Sequence, residues 1–557
     1  MPAASHPLPG SLAASPQPRA RVTRSGVLGA LLLAAIAMAL LGTCAGARAS
    51  ATSTGGHVSP SPAIAGEVDE ADEAAQPATP VTVAIDPFDP GRPVPQQFLG
   101  LSFEAASLAQ LAKYADRGDL VRLLRSLGPG VLRFGGITAD ENVAWTDAET
   151  PRPAWASSVI DEADLDAIGV LARRSGWHVL LTVGLAHYEP LTAAREVAAA
   201  HRALGPYLEA VEIGNEPDSY GSHGFRTLPW IAQGYEEEVS SYREAIAALT
   251  PDVPLAGPDV SGSGIFSEWG EAEALSQKPA LLTGHHYPLG CAQTPRPSIE
   301  ALLSPAIRAL EARSLATYMT VASKRDIPLR IDETNTVSCG GVAGVSDTFA
   351  SALWASAYIT QAMAAGVDGI NLEGNPTNCA GYTPLCAPDA SAIADGQLRA
   401  EPEWYALLLT RSLVGERPLP TTISAEATPN LVAAAFSAPN HSLRIVLVDD
   451  EPPGASPLAL RLGVGSGLGT ARVLRLSAPA PGDTNGVLLA DTEVAANGSW
   501  QAPTQTEGAQ PIDGVLSLQL QPSSAALVTL SRPIPKPGRQ KKHNLSSERP
   551  KRRSRPL

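Results

Sequence analysis

Two glutamates in this chain stand where a carboxylate can do chemistry. Glu216 closes the run Val211-Glu212-Ile213-Gly214-Asn215-Glu216-Pro217-Asp218, and Glu333 closes Leu329-Arg330-Ile331-Asp332-Glu333-Thr334-Asn335. In each, apolar β-formers lead into acids and then a polar turn, the pattern of a buried parallel strand that carries an acid to its C-terminal rim. They lie three βα units of about 40 residues apart, which suits strands 4 and 7 of an eight-stranded barrel facing each other across its mouth. Two carboxyls about 5–5.5 Å apart suit glycoside hydrolysis with retention, one as nucleophile and the other as acid and then base. The competing structural reading is two rim glutamates held in salt bridges.

Such a pair needs a scaffold, and the flanking pattern supplies one. Short apolar runs at 99–103, 131–134, 179–183, 210–213, 255–257, 281–284, 329–331 and 369–372 alternate with helical patterns at 106–127, 160–175, 192–204, 230–249, 298–324, 347–366 and 400–413. Alternating strands and helices predict an α/β fold with a parallel sheet closed as a (β/α)8 TIM barrel. An open doubly wound sheet fits less well, because no Gly-rich dinucleotide loop follows the first strand. Past residue 415 the helical period gives way to β-branched and alternating runs such as Leu443-Arg444-Ile445-Val446-Leu447-Val448 between Gly/Pro/Ser turns, which predicts a C-terminal antiparallel β-sandwich domain. The expected division is a signal segment at 1–49, an acidic, Pro-rich disordered linker at 50–80, strands at 81–97 that join the sandwich, the catalytic barrel at 98–414, the sandwich at 415–533 and a basic tail at 534–557.

The chain has 557 residues, 44% hydrophobic and 17% charged, with a formal charge of −15. Residues 536–557 alone carry nine Lys/Arg against Glu548, so the body is more acidic than the total, which argues against nucleic acid as a partner. Residues 27–42 (GVLGALLLAAIAMALL) follow Arg19, Arg21 and Arg24 and precede Ala47-Arg48-Ala49, a secretory pattern with cleavage expected after Ala49. The expected location is therefore extracellular or in the cell envelope. Membrane attachment is expected only if the segment stays uncleaved or if Leu41-Gly42-Thr43-Cys44 serves as a lipidation box. Behind the signal, Cys291, Cys339, Cys379 and Cys386 form an even set in an oxidising compartment. Cys379 and Cys386 are spaced for a local bridge, and Cys291 and Cys339 each follow a barrel strand and can meet at the rim; four free thiols are the alternative. The spacing matches no metal site, and no cofactor is expected.

Further motifs narrow the reading. Leu101-Ser102-Phe103-Glu104, Leu132-Arg133-Phe134-Gly135-Gly136, Glu212-Ile213-Gly214-Asn215-Glu216-Pro217-Asp218, Gly284-His285-His286-Tyr287 and Asp332-Glu333-Thr334-Asn335 running into Cys339-Gly340-Gly341 occur in that order. On these motifs the chain resembles glycoside hydrolase family 79, the β-glucuronidase and heparanase family of the retaining (β/α)8 clan, over most of residues 81–531. The resemblance implies Glu216 as acid/base, Glu333 as nucleophile, Asn215 on the sugar 2-hydroxyl, Tyr287 as a donor to Glu333 and Glu104 on sugar hydroxyls. It also implies that the turn Ser338-Cys339-Gly340-Gly341 cradles the sugar carboxylate through its N–H groups, with Tyr382 in support. Ser338 stands where many relatives carry tyrosine, which leaves room for a 4-O-methylated uronate, and Ile137 replaces an expected polar residue. Since Tyr287 faces inward, strand alternation makes His285 the pocket residue rather than His286. Arg133 reads as an interior partner of a strand-end carboxylate. The implied activity is exo-hydrolysis of β-linked glucuronides or glucuronic-acid-containing oligosaccharides. The alternatives are an endo-acting heparanase-like enzyme, another β-glycosidase of the clan, and a non-catalytic carbohydrate-binding barrel.

Overall fold

Eight runs rich in β-branched and apolar residues form one parallel sheet: Leu99–Glu104, Val131–Gly135, His178–Val183, Leu208–Ile213, Ala256–Val260, Leu281–His286, Leu329–Thr334 and Gly369–Glu373, here the first to eighth barrel strands. The computed structural model describes residues 77–532. The expected signal segment, nearly all of the linker and the basic tail lie outside the described residues. The first four strands pair in sequence, the first also pairs with the eighth, and pairing continues back to the fifth. Val211 bridges Leu255, and the Val211 N–H donates to the Pro254 carbonyl at 3.0 Å, which joins the fourth strand to the fifth. The sheet therefore closes as a (β/α)8 barrel.

Seven of the strand-linking helical patterns appear, with breaks where local chemistry demands them. The run at 106–127 divides into Leu108–Ala112 and Leu120–Leu127, because the chain turns at 116–118 and the Asp119 N–H donates to the Gly396 carbonyl at 2.9 Å. The run at 298–324 divides before Pro305, where Ser304 caps Pro305–Arg325 by accepting from the Ile307 N–H at 3.3 Å. A further helix, Ser263–Ser276, follows the fifth strand; its opening glycines, Gly262 and Gly264, mask it in the sequence.

Beyond the barrel, two antiparallel-rich sheets pack into a β-sandwich. One contains Thr421–Ala425, Thr79–Ile85, Leu458–Gly463 and Val515–Leu520 in that order; the other is built on Leu431–Ser437, Leu443–Asp449, Ser524–Leu530 and Ala471–Ser477. Thr79–Ile85 precedes the barrel in sequence yet lies between two sandwich strands, antiparallel to one and parallel to the other. Alternation on these strands buries Val81, Val83, Leu458, Leu460, Leu462, Leu516, Leu518 and Leu520 in a core of their own. The barrel and the sandwich are joined by a buried ion pair from Arg308 on a barrel helix to Asp450, at 2.5 Å. Among the described residues, no helix is long and apolar enough to cross a membrane.

Inside the barrel, apolar side chains close the bottom, and polar ones fill the layers above. Val131, Leu180, Ala210, Ala256 and Leu281 cluster at the N-terminal end. Above them Asn371 donates to the carbonyls of Leu101 and Val131 at 2.9 and 3.0 Å and accepts from Arg330 at 2.7 Å. Chemistry-bearing residues are left for the C-terminal mouth.

Candidate active site

One buried guanidinium organises the mouth. Arg133 points inward from the second strand, fully enclosed. Its Nε donates to Glu212 at 2.9 Å, Nη1 to Glu333 Oε2 at 2.8 Å and to Ser102 at 3.1 Å, and Nη2 to Asp259 at 2.8 Å and Asn215 Oδ1 at 2.9 Å. Asp332 Oδ2 also lies 2.9 Å from Nε. The rigid donor fork thus touches four acids and an amide from three different strands or their ends. A buried cation is tolerable here only because so many anions surround it.

Two local irregularities put those acids in reach. Strict alternation would send Asp332 and Glu333 to opposite faces of the seventh strand. The register shifts between Ile331 and Glu333 against the sixth strand and between Ile331 and Thr334 against the eighth, a bulge that lets both carboxylates meet Arg133 inside the barrel. A second shift between Pro258 and Val260 does the same for Asp259, which has φ +58°.

Glu333 is almost fully buried, and burial alone would raise its pKa. The His285 imidazolium, the Arg133 charge and hydrogen bonds from Arg133 and Tyr287 outweigh that and hold the carboxyl below its usual range. The Tyr287 hydroxyl donates to Glu333 Oε1 at 2.9 Å and lies 3.3 Å from the Tyr382 hydroxyl. The alternation argument places His285 inward and His286 outward, where His286 stacks on Tyr358 and meets Ser314. His285 Nδ1 lies 3.0 Å from Glu216 Oε1 and Nε2 lies 2.7 Å from Asp259. Burial works against charge on this ring, but Glu333 and Asp259 lift its pKa well above the ordinary value, so both nitrogens donate. Three-group clusters here, Glu216–His285–Glu333 and Asp259–His285–Asp332, are compact enough for a cation.

Glu216 follows the fourth strand in a left-handed conformation, φ 44° and ψ 52°, a strained backbone for a residue with a Cβ. Its N–H donates to the Asp259 carbonyl at 2.9 Å, and Pro217 opens a short helical turn directly after it. Its side chain is 26% exposed, facing the opening. Asp140 locks the surrounding loops together by accepting from the N–H groups of Leu185, Ala186 and Asn215 at 2.7, 2.9 and 2.8 Å and from the Tyr220 hydroxyl at 2.5 Å. Nearest donor atoms of Glu216, His285 and Glu333 all fall within 4.8 Å of one another.

The remaining expected residues lie around this pair. The side-chain amide nitrogen of Asn215 has no hydrogen-bond partner among the described residues, while its oxygen is held by Arg133. Glu104 accepts at Oε2 from the Thr138 N–H at 3.0 Å and hydroxyl at 2.6 Å, so its partner is a helix start. This contact explains Gly136: at φ +67° a Cβ there would sit 2.4 Å from Glu104 Oε2.

Two disulfides tie the rim loops. Cys291–Cys339 joins the loops after the sixth and seventh strands, and Cys379–Cys386 closes the loop that carries Tyr382. The Ser338 hydroxyl oxygen accepts from the Cys291 N–H at 3.1 Å, so it braces these loops. Cys339, Gly340 and Gly341 have φ of +60°, +87° and +85°, and their three N–H groups meet no acceptor among the described residues. Consecutive unpaired amides in a turn form a concavity suited to an anion. Tyr382 closes one side, its N–H donating to the Gly340 carbonyl at 3.3 Å.

Several residues of the site are not evident from the motifs: Asp140, Asp259 and Glu373, and Glu212 stands in a motif with no role assigned to it. Glu212 is pushed up to about 7 by burial and by Asp332, against Arg133 and Thr182. An acid inside an apolar strand is the available sequence signal for Glu212 and Asp332.

The fold and mouth together define a (β/α)8 barrel with two opposed rim glutamates. No family model and no curated protein matches this sequence. Among solved structures the chain is similar to a 4-O-α-L-rhamnosyl-β-D-glucuronidase from Fusarium oxysporum 12S, at TM-score 0.65 and 20% identity over 80% of this chain and 100% of that one. It is similar to a family 51 arabinofuranosidase from Xanthomonas axonopodis pv. citri at TM-score 0.61 and 15% identity, over 81% and 100% of the two chains. Likeness also extends to the catalytic domain of a family 30 xylanase C from Talaromyces cellulolyticus, at TM-score 0.50 and 12% identity, over 81% and 100%. At these identities the likeness shows a shared fold.

Proposed function

We propose that the protein is an exported retaining glycoside hydrolase, allied to family 79, that removes terminal β-linked glucuronic acid, plain or 4-O-methylated, from glucuronides. The observation that carries this reading is the carboxyl of Glu333, held by Arg133 at 2.8 Å and Tyr287 at 2.9 Å, with its nearest oxygen within 4.8 Å of Glu216. Glu333 attacks the anomeric carbon while Glu216 protonates the glycosidic oxygen, which breaks that bond and releases the aglycone as an alcohol. Glu216, now a carboxylate, takes a proton from water, whose oxygen attacks the anomeric carbon and returns Glu333 to its ionised state. Asn215, through its unpaired amide, binds the 2-hydroxyl in the oxocarbenium-like transition state. Glu104 accepts from sugar hydroxyls at its free oxygen.

The three unpaired amides at 339–341, with Tyr382 beside them, support a sugar carboxylate as the distinguishing group. The similarity to a protein named as a β-D-glucuronidase is consistent with this choice. Two disulfides fit an oxidising, extracellular setting. A neutral-sugar glycosidase is the second reading, favoured by the engagement of Ser338 between the loops rather than in the pocket.

Paired aryl β-glucuronide and β-glucoside substrates, assayed with the parent and Glu333→Ala, test the reading. Glucuronide hydrolysis should exceed glucoside hydrolysis and vanish in the variant. Equal rates would overturn uronate specificity, and activity in the variant would overturn the nucleophile.

A further inference from the structure

The eighth strand ends in a third carboxyl that the mechanism above does not use. Glu373 is 4% exposed and stands in register with Ser102 on the first strand. Ser102 faces the barrel interior, where it accepts from Arg133, and Asn371, two residues before Glu373, faces the interior as well. Alternation therefore turns Glu373 inward too. Its backbone is pinned on both sides: the Asn335 amide donates to its carbonyl at 2.8 Å, and the Gly374 N–H donates to the Ser102 carbonyl at 3.0 Å. Its Oε2 is buried with no hydrogen-bond partner.

The surroundings of this side chain are anionic and phenolic. Burial, then the carboxylates of Glu333 on the seventh strand and Glu104 on the first, raise its pKa well above the usual carboxylate range, against smaller effects of Ser102 and Arg133. The tyrosines that sense its charge are Tyr287, after the sixth strand, and Tyr382. The loop bearing Tyr382 wraps directly over the strand end, since a Cβ on Gly374 would sit 2.8 Å from Thr383 Oγ1. Glu373 thus lies on the wall between Glu104 and Tyr382, the side of the pocket where Tyr382 meets the unpaired amides of 339–341. A carboxyl with a buried, unpartnered oxygen has an unmet hydrogen-bonding capacity that a ligand would satisfy.

We propose that Glu373 is a specificity-determining residue that, as an uncharged carboxylic acid, donates a hydrogen bond to the carboxylate of the bound uronate. The proposal rests on the glucuronide reading above. An acid–carboxylate pair shares one proton and places no second anion beside the first. Once ionised, Glu373 becomes an acceptor facing an acceptor and repels the uronate, while a neutral glucoside is little affected. The site therefore discriminates by protonation: uronate binding weakens as pH rises through the titration of Glu373.

The test is the pH dependence of KM for aryl β-glucuronide and β-glucoside in the parent, Glu373→Gln and Glu373→Ala. The parent should show a KM for the glucuronide that climbs at alkaline pH, with no such climb for the glucoside. Glu373→Gln, which stays a neutral donor, should lose the climb. Glu373→Ala should lower kcat/KM for the glucuronide by about 10- to 100-fold, the effect of losing a donor to a charged acceptor, and change the glucoside by only a few-fold. Infrared difference spectra of parent against Glu373→Gln at neutral pH supply a check independent of turnover, through a protonated-carboxyl band expected in the parent alone. Absence of that band, or a climb in KM that persists in Glu373→Gln, overturns the proposal. A parent that does not hydrolyse the glucuronide at all overturns the underlying glucuronidase reading instead, and this role of Glu373 with it.

Discussion

Replacing Tyr287 by phenylalanine isolates one of the supports of Glu333. The change removes the 2.9 Å hydrogen bond to Oε1 and leaves the ring stacked on Tyr382 at a centroid distance of 5.9 Å. A hydrogen bond to a charged group contributes about 1.5–3 kcal/mol, and about 1.4 kcal/mol corresponds to one pH unit of pKa. The Glu333 carboxyl should therefore rise by about 1–2 pH units. It is not left bare, because Arg133 remains at 2.8 Å and His285 at 3.7 Å. The acidic limb of kcat/KM reports the free enzyme, so initial rates on an aryl β-glucuronide across pH should show that limb displaced upward by about 1–2 units. The loss of rate should be greatest at acid pH and smaller near neutrality. A folded Tyr287→Phe variant whose acidic limb coincides with that of the parent would refute the claim that this hydroxyl keeps Glu333 ionised.

Other expectations follow from the same structure. Burial pushes Glu196 and Glu403 up to about 8 from a reference of 4.5, so the folded chain retains protons that the unfolded chain has lost. Stability from these groups is greatest below about pH 4.5 and falls as pH rises toward 8, by about 1.4 kcal/mol per unit for each group. Calorimetry across that range should show Tm declining with pH and a shallower decline in Glu196→Gln; parallel curves for the two proteins would contradict this. Gly341→Ala would put a Cβ 2.5 Å from the Tyr382 nitrogen at φ +85°, so KM for the glucuronide should rise about tenfold or more while the glucoside changes little. An equal loss on both substrates would show that the turn supports the whole pocket rather than the sugar carboxylate.

The barrel was legible because most strands are short apolar runs alternating with helical patterns, a signal that depends on burial rather than on detail. The inward position of His285 followed from alternation once the resemblance had set Tyr287 inward. Alternation failed at Asp332–Glu333 and at Asp259, where bulges turn extra acids into the barrel, and no local sequence signal marks a bulge. For that reason Arg133 read as a partner for one carboxylate, whereas it meets four. Glu373 obeys alternation and was discoverable from Asn371 two residues earlier, but only once the eighth strand was known to reach it. The helix Ser263–Ser276 was hidden by glycines whose low helix propensity is overridden by burial of Phe266 and Trp269.

The central claim is double displacement by Glu216 and Glu333. Proton NMR of the first sugar released from an aryl β-glucuronide tests it most directly, read before mutarotation scrambles the anomers. The β-anomer of glucuronic acid should form first, because two displacements at the anomeric carbon restore its configuration. First formation of the α-anomer would contradict it.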